Sequence, residues 1–482
     1  MRFLIVVFDA LRPEFVTPDL MPNLHGFAST GVLYPNSRST FLTETRVNQT
    51  AVVTGCTPAR NGIVANVLMA RDVWPDRVLN SGKEAELKAA FAAADGRLIQ
   101  VPTLSERAAA AGRTYASLSA GTPGGGRLIN HSAEDNGSFR FAMRSPEASV
   151  PSGVREDIEA AIGPMPAYER PATQWISWAV NAYTDWVEPR IAPDVMLLWL
   201  CEPDETFHYC GIGSPESLVT IRHADAEFGR LLKCLESQTD SGDLQIIAMS
   251  DHGQISLEGA PLDIPARLRD AGFRAAKAPA PDVDCVVVVH NGGGIWVRDD
   301  DPQITGHLVQ YLLQQPWCGP IFTRDGLLGT LRLADVCLDH ARAPTIAVTM
   351  RTHDGSNEWN RAGKTFHDAP YPTIGGCHGG LSRYELNNFL SMSGAAFKTG
   401  VATEAPAGNI DITPTICHLL GIDGGADCDG RILHEALHDT PNAGSDAWQE
   451  TVRVSQNSVG PRTHLSFTEF GATRYLNGAW LA

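Results

Sequence analysis

The stretch from Thr45 to Arg60 reads TRVNQTAVVTGCTPAR and contains two candidate nucleophiles, the hydroxyl group of Thr45 and the thiol group of Cys56. We predict a helix that begins at Thr45 and runs to Thr54, which puts Cys56 in the turn that follows it. A hydroxyl group at a helix N-terminus gains from the helix dipole and from free N–H groups that face an anion. The choice between the two nucleophiles therefore decides the class of enzyme.

Three apolar runs rich in Val, Ile and Leu predict buried parallel strands, at residues 3–8, 195–200 and 244–249. Acidic residues or histidine follow each run, namely Asp9, Glu202 to Asp204, and Asp251 with His252. Stretches with helical periodicity lie between the strands, at residues 21–30, 101–111, 175–187 and 215–235. This alternation predicts an α/β fold with a doubly wound, mostly parallel central sheet and helices on both faces. Ligands bind beyond the carboxyl ends of such strands, so we expect these polar residues to lie at the edge of the sheet that carries the functional site.

The remaining segments predict additions to this core. Residues 121–171 are rich in Gly, Pro and charge, and we expect an irregular insertion there. Residues 256–372 carry strands of their own at 285–290 and 294–298 and a helix at 303–314, which predicts a smaller inserted cap. We therefore divide the chain into a catalytic core (1–255 and 373–435), a cap (256–372) and a C-terminal extension packed on the core (436–482).

Composition limits the classes of partner and location. The 482 residues include 38 Lys and Arg against 55 Asp and Glu, a formal charge of −17, so we expect no nucleic-acid polymer as a partner. The first apolar run is too short for a signal peptide or a membrane span, and we expect no membrane association. The ten cysteines are scattered singly without a C-x-x-C pair, which favours reduced thiols and a cytoplasmic location. The oligomeric state is left open.

Aspartate and histidine recur at spacings that suit a two-metal site. Asp204 and His208 are four residues apart, which places both side chains on one face of a helical turn. Asp251 and His252 are adjacent after the third strand, and Asp9 follows the first. This ligand set suits Zn²⁺, with Mn²⁺ as the alternative.

The same residues resemble the type I phosphodiesterase/nucleotide pyrophosphatase branch of the alkaline phosphatase superfamily. Residues 45–55, TRVNQTAVVTG, look like the family's T-F-P-N-H-Y-S-I-V-T-G. Glu202 to His208 resemble its E-P-D-x-x-x-H, residues 250–253 its S-D-H-G, and residues 376–379 its G-x-H-G. The segment from Asn409 to Arg431 resembles the D-I-x-P-T-x-x-x-L-L-G…D-G-R close of phosphatases and sulfatases in this superfamily.

The resemblance implies an alkaline phosphatase-like fold and assigns roles residue by residue. Thr45 is expected to be the nucleophile, and Asn48 a donor to a phosphoryl oxygen. One divalent cation is expected on Asp204, His208 and His378, and a second on Asp9, Thr45, Asp251 and His252. Arg46 and Val47 depart from the family's phenylalanine and proline, which leaves the substrate preference open.

We predict a metal-dependent phosphodiesterase that acts on a small phosphate ester through a phosphothreonine intermediate. A phosphomonoesterase or a phosphonoacetate-type hydrolase would use the same binuclear site. Cys56 to Arg60 also satisfy C-x-P-x-R, which resembles the site of formylglycine sulfatases, but there the cysteine stands nine residues before the threonine of the helical Leu-Thr-Gly. In this chain Thr45 occupies that position, so a sulfatase is a less favoured alternative. A non-catalytic binding protein is also less favoured.

Overall fold

The centre of the protein is a mostly parallel sheet. In the computed structural model, which describes residues 1–438, 440, 444 and 447–482, this sheet has eight strands. The strand from Leu390 to Ser393 runs antiparallel to its neighbours, while the five strands from Leu244–Met249 outward are parallel. The spatial order is Val401–Ala402, Val32–Leu33, Leu390–Ser393, Leu244–Met249, Arg2–Phe8, Val195–Leu200, Tyr115–Ser119 and Phe139–Ala142.

Helices cover both faces of this sheet. Leu4, Val6 and Phe8 belong to a buried cluster that includes the helices Pro22–Thr30, Thr173–Asn181 and Pro215–Cys234. Phe3, Ile5 and Val7 point to the other face and pack with the helices Thr45–Thr54, Leu104–Ala110 and Ile412–Leu420. Successive strand residues alternate between faces, and both faces here are apolar because both are covered. The predicted doubly wound α/β fold is confirmed.

The prediction of an irregular insertion at residues 121–171 was wrong. This segment contributes the edge strand Phe139–Ala142 to the central sheet and the helices Pro123–Leu128, Ala133–Asn136 and Val154–Ile162. The strand was missed because Arg140 interrupts its apolar pattern. Arg140 is nevertheless fully buried, since its guanidinium group pairs with Glu134 at 2.6 Å and donates to the Ala148 carbonyl oxygen.

A second sheet of six strands lies within the segment predicted to be a cap. Its helices, Ile264–Asp270 and Pro302–Leu313, cover one face. The other face contributes Val286, Trp296 and Phe322 to a cluster that includes Phe41 and Ile63. The strands are, in spatial order, Ala275–Ala276, Cys285–Val289, Gly292–Val297, Ile346–Met350, Cys318–Thr323 and Leu331–Arg332.

A four-stranded sheet joins this segment to the core. It consists of the strands Thr352–Ser356, Ala362–Thr365, Ile255–Leu257 and Gly376–Cys377. The last two pair antiparallel, with Ile255 opposite Cys377. This pairing holds the chain after His252 beside the chain before His378.

The C-terminal strands Trp448–Val454, Thr463–Phe470 and Thr473–Leu481 form an antiparallel sheet. Leu465 and Leu476 pack in the same cluster as Phe322, so this sheet contacts the inserted segment, while Tyr475 donates its hydroxyl group to Asp411 of the core. Residues 439, 441–443 and 445–446 of the predicted extension lie outside the described residues. The division into core, cap and extension stays a prediction.

Shorter elements complete the described chain. The pairs Ser37–Arg38 with Ala407–Gly408 and Val67–Leu68 with Leu79–Asn80 form small two-stranded sheets. No helix among the described residues is both long and apolar enough to cross a bilayer. Apart from short 3₁₀ helices, the remaining helices of the described residues are Pro58–Asn61, Glu84–Ala93, a π-helix at Ala182–Val187, Glu188–Ile191, Asp204–Cys210, Glu236–Asp240 and Arg383–Leu386.

Candidate active site

The predicted acidic and histidine side chains meet at the carboxyl ends of three neighbouring strands. Arg2–Phe8 lies between Leu244–Met249 and Val195–Leu200, with Phe8 opposite Leu200 and Val7 opposite Met249. The residues that follow these strands therefore converge on one edge of the sheet, as expected for a parallel arrangement. Asp9, His208, Asp251, His252 and His378 are all buried there.

Asp204, His208 and His378 form the first group of ligand-type atoms. Asp204 and His208 lie one turn apart on the helix Asp204–Cys210, with Asp204 Oδ1 at 3.2 Å from His208 Nε2. His378 follows the short strand Gly376–Cys377, and its Nε2 lies 3.5 Å from the same carboxylate oxygen. One ligand atom from each of the three residues lies within 4.8 Å of the others, which is compact enough to hold a metal ion.

His252 is the centre of the second group. Its Nε2 lies 3.1 Å from Asp251 Oδ2, 3.8 Å from Asp9 Oδ1 and 3.1 Å from Thr45 Oγ1. Asp9, Asp204 and His252 offer ligand atoms within 4.8 Å of one another. Asp204 thus belongs to both groups, whereas the sequence pattern assigned it to one.

The three histidines present the same nitrogen atom to the site. The Nδ1 atoms of His208, His252 and His378 lie 2.8, 3.0 and 2.8 Å from the carbonyl oxygens of Gly376, Gly253 and Thr43. A carbonyl oxygen only accepts, so each Nδ1 carries a hydrogen, and in the neutral ring each Nε2 directs a lone pair into the cluster. Backbone carbonyl partners fix metal-binding histidines in this way.

Two buried carboxylate oxygens in the cluster have no hydrogen-bond partner, Asp9 Oδ1 and Asp251 Oδ2. Burial, followed by the neighbouring carboxylates of Asp251 and Asp204, raises the pKa of Asp9 well above its ordinary value. Burial also raises the pKa of Asp251. Orphaned acidic oxygens beside histidine lone pairs fit divalent cations, which would compensate the crowded negative charge.

Thr45 is the first residue of the helix Thr45–Thr54, as predicted, and is only 6% exposed. Its hydroxyl group faces the cluster, because it lies within hydrogen-bonding distance of His252. The side chain of Glu44, which precedes the helix, does not cap it, and the backbone N–H of Arg46 donates to the Asn66 side chain. The helix dipole favours an anion at this end.

Asn48 is fully buried one turn further along this helix. Its amide nitrogen donates to the carbonyl oxygens of Leu42 and Glu44, and its amide oxygen accepts from Thr40 and Asn409. The side chain therefore fastens the helix to the core. The predicted contact of Asn48 with a phosphoryl oxygen stays a prediction.

Residues 3–290 match the family model described as type I phosphodiesterase / nucleotide pyrophosphatase. The chain belongs to this family. The predicted membership of this branch is thereby confirmed.

Relatives and solved structures agree with this membership. A venom phosphodiesterase of Macrovipera lebetinus is 24% identical over 274 residues, which cover 55% of this chain and 27% of the relative. The mouse ectonucleotide pyrophosphatase/phosphodiesterase family member 3 is 24% identical over 247 residues, 51% of this chain and 24% of the relative. The match thus spans about a quarter of these relatives. Murine ectonucleotide pyrophosphatase/phosphodiesterase 5 superimposes with a TM-score of 0.60 at 18% identity, over 92% of this chain and 98% of that one, which supports the alkaline phosphatase-like fold.

The rival candidate nucleophile, Cys56, lies away from the cluster of acidic and histidine side chains. Cys56 lies beyond the C-terminal end of the Thr45–Thr54 helix, about 15 Å from Thr45 at 1.5 Å per residue. It is fully buried, and hydrogen bonding from the Cys428 thiol group lowers the pKa of Cys56. Arg60 of the same motif pairs with Asp429. The C-x-P-x-R pattern thus contributes nothing to the cluster.

Three residues that the sequence pattern missed support the site of this family member. Gln254 Nε2 donates to Asp204 Oδ1 at 2.5 Å, and Trp199 Nε1 donates to Asp9 Oδ2 at 2.9 Å. Asn66 accepts the backbone N–H of Arg46 at 3.0 Å, beside Thr45. Gln254 could have been suspected from its place two residues after His252. Trp199 and Asn66 carry no such signal, because one looks like a core residue of a strand and the other like a loop residue.

Trp199→Phe should weaken metal binding while leaving the fold intact. The change removes one hydrogen bond to Asp9 and keeps the aromatic ring, so metal affinity should fall about 10- to 100-fold, the usual cost of losing a group that orients a ligand. Metal titration followed by activity measures this affinity. Trp178→Phe is the matched control, because its indole N–H donates to the Gly163 carbonyl oxygen away from the site. Equal metal affinity in both variants would contradict the role of Trp199.

Proposed function

We propose that the protein is a binuclear metal-dependent hydrolase that cleaves phosphate diesters through a phosphothreonine at Thr45. The observation that carries this proposal is the approach of Thr45 Oγ1 to His252 within the Asp and His cluster. Membership of a family of phosphodiesterases and nucleotide pyrophosphatases supports the reaction class. A structural neighbour was also solved as an inactive variant, with a threonine replaced by alanine, in complex with AMP.

The chain supplies the nucleophile and the environment that activates it. The Thr45 oxygen attacks phosphorus, a bond from Thr45 to phosphorus forms, and the bond to the alcohol or nucleotide leaving group breaks. Water then attacks the same phosphorus atom, which restores Thr45 and releases the second product as a monoester. A free threonine hydroxyl group is a poor nucleophile near neutral pH. The first step of this reaction therefore needs a group that stabilises the threonine alkoxide.

The donor set suits two divalent cations, most readily Zn²⁺, with Mn²⁺ as the alternative. Asp204, His208 and His378 would hold one, and Asp9, Thr45, Asp251 and His252 the other. Such cations would lower the pKa of a bound hydroxyl group and compensate charge on the phosphoryl oxygens.

Asn66 is better placed than Asn48 to donate to a phosphoryl oxygen. The Asn66 amide oxygen is held by the Arg46 backbone N–H, while its amide nitrogen has no hydrogen-bond partner among the described residues. The amide N–H groups of Asn48, in contrast, already donate to backbone carbonyl oxygens. We therefore propose Asn66 for this role and a positioning role for Asn48.

The substrate is proposed to be a small phosphate ester rather than a nucleic-acid polymer. The formal charge of −17 disfavours a polyanionic chain. A mouse relative, 37% identical over 65 residues that cover 14% of each chain, is named bis(5'-adenosyl)-triphosphatase enpp4, a name that points to a small nucleotide. Ten cysteines with free thiol groups support the proposed cytoplasmic location.

A metal-reconstituted activity panel tests the proposed function. The chelated protein is reloaded with Zn²⁺, Mn²⁺, Mg²⁺ or Ca²⁺ and offered bis-p-nitrophenyl phosphate, p-nitrophenyl phosphate, phosphonoacetate and p-nitrophenyl sulfate. We expect turnover of the diester with Zn²⁺ or Mn²⁺ and none of the sulfate ester. Exclusive turnover of the monoester or of phosphonoacetate would favour those alternatives on the same site. Turnover of the sulfate ester alone would contradict the account.

A further inference from the structure

Arg46 places a positive charge beside the nucleophile without an acidic partner. It follows Thr45 in the first turn of the helix, and its backbone N–H is held by Asn66. Its Nε atom is buried without a hydrogen-bond partner. Among the described residues, no carboxylate lies within ion-pair distance of its guanidinium group, although the chain has 55 acidic residues against 38 Lys and Arg.

Arg46 is half-buried, and three buried arginines of this protein are paired with acidic residues. Arg127, Arg140 and Arg342 each contact a carboxylate at 2.7, 2.6 and 2.7 Å. A partly buried cation without a counterion is costly, because it loses hydration without regaining a charge partner. The nearest acid in sequence, Glu44, uses its carboxylate to accept the backbone N–H of Asn66 instead. The Nε atoms of Arg107, Arg351 and Arg361 are also buried without a partner, so what sets Arg46 apart is its position directly after Thr45, where the substrate phosphate is proposed to bind.

The guanidinium group acts on the same residues that form the site. Its charge lowers the pKa of Asp9, against the larger effect of burial, and does the same for Tyr371. Tyr371 stacks on the imidazole ring of His208 with ring centroids 3.9 Å apart. The guanidinium group of Arg46 is thus near enough to influence Asp9 of the second group and Tyr371, which stacks on His208 of the first.

Cationic neighbours of Arg46 are reflected in the pKa of His290. The pKa of His290 is lowered to about 4, first by burial and then by the charges of His208, Lys277 and Arg46. Gly82 lies beside the guanidinium group, since a Cβ atom there would be 3.6 Å from Arg46 Nη2. A planar guanidinium group with free N–H groups matches the oxygens of a carboxylate or phosphate.

We propose that Arg46 binds an oxyanion of the substrate that a simple diester lacks, so that the preferred substrate carries at least one further negative charge. The further charge resides on a distal phosphate or carboxylate of the ester, and a charge on the transferred group of a monoester is the alternative that the test distinguishes. This inference rests on the proposed function, because it concerns the substrate of the same site.

A matched substrate series tests the inference. The p-nitrophenyl ester of thymidine 5'-phosphate is compared with the same compound bearing a 3'-phosphate, and bis-p-nitrophenyl phosphate with p-nitrophenyl phosphate. For each pair we take the ratio of kcat/KM for the more charged substrate to kcat/KM for the less charged one. In Arg46→Gln this ratio should fall about 10- to 100-fold, because a charge-assisted hydrogen bond contributes about that much to binding. A fall in the first pair identifies a distal anion, and a fall in the second identifies the transferred group.

Two further variants make the result specific. Arg46→Lys keeps the charge and should retain part of the preference. Arg60→Gln removes an exposed arginine at the far end of the helix and should leave both ratios as in the wild type. An equal fall in kcat/KM for both members of each pair in Arg46→Gln would overturn the inference. The contribution of Arg46 would then be independent of the charge of the substrate.

A binding measurement separates this inference from the proposed function. Inorganic pyrophosphate should raise the melting temperature of the metal-loaded wild type and of Arg60→Gln more than that of Arg46→Gln. Equal shifts in all three proteins would overturn the inference. The measurement needs no turnover, so an inactive wild type would refute the proposed function while leaving the test of Arg46 intact.

Discussion

Thr45→Ala should lower turnover of a phosphate diester by at least about 10³-fold, in line with the loss of a nucleophile in other enzymes. Alanine removes the only atom of residue 45 that can bond to phosphorus and keeps the helix N-terminus. The other proposed ligands of the second cation, Asp9, Asp251 and His252, are unchanged in this variant. Steady-state kinetics on the metal-loaded variant, with metal content measured on the same sample, gives the result.

Two variants serve as controls for this experiment. Thr45→Ser keeps a hydroxyl group and should recover a measurable part of the activity. Cys56→Ala removes the rival nucleophile, which is buried at the other end of the helix, and should leave kcat within a few-fold of the wild type. Full activity in Thr45→Ala, or inactivity in a folded Cys56→Ala protein, would refute the assignment.

Asp204→Asn should have the second largest effect, because Asp204 belongs to both groups of ligand atoms. The change preserves shape but removes the charge that lies 3.2 Å from His208 and 3.5 Å from His378. We expect the loss of at least one bound cation per protein and a fall in kcat of at least about 10³-fold, since electrostatic stabilisation of the transition state is lost with it. Elemental analysis and kinetics of the same preparation measure both quantities.

Glu205→Gln is the matched control for Asp204→Asn. Glu205 is the adjacent acid on the same helix, but its carboxylate pairs with Arg144 and Arg170. Its replacement should leave the metal content unchanged. If Asp204→Asn retained its cations and its turnover, the proposed arrangement of metal ligands would be wrong.

The central strands, and the acidic residues that follow them, could be predicted because a buried strand has a recognisable apolar sequence. The runs at 195–200 and 244–249 coincide with the observed strands Val195–Leu200 and Leu244–Met249. A parallel strand covered on both faces is continuously apolar, and the polar residues that follow it mark the edge of the sheet. Asp9, Asp204 and Asp251 are visible for this reason.

Features that depend on tertiary contacts could not be predicted in the same way. The strand Phe139–Ala142 is hidden by Arg140, whose burial is intelligible only once Glu134 is seen beside it. The burial of the Asn48 amide depends on Asn409, which is distant in sequence. The place of His378 depends on the pairing of Ile255 with Cys377, which no local pattern encodes.

The unpaired Arg46 is another case of this kind. The sequence shows only that an arginine follows Thr45. That no acid reaches it among the described residues is a property of the folded chain, and it turns an unexplained departure from the family pattern into a hypothesis about substrate charge.

The stereochemical course at phosphorus tests the covalent intermediate most directly. A phosphorothioate diester of known configuration is hydrolysed by the metal-loaded enzyme in heavy-oxygen water, and the configuration of the product is determined. Attack by Thr45 followed by attack of water comprises two in-line displacements, each with inversion, so the account predicts net retention. Net inversion would mean that water attacks the ester directly, and it would contradict the role of Thr45 as nucleophile.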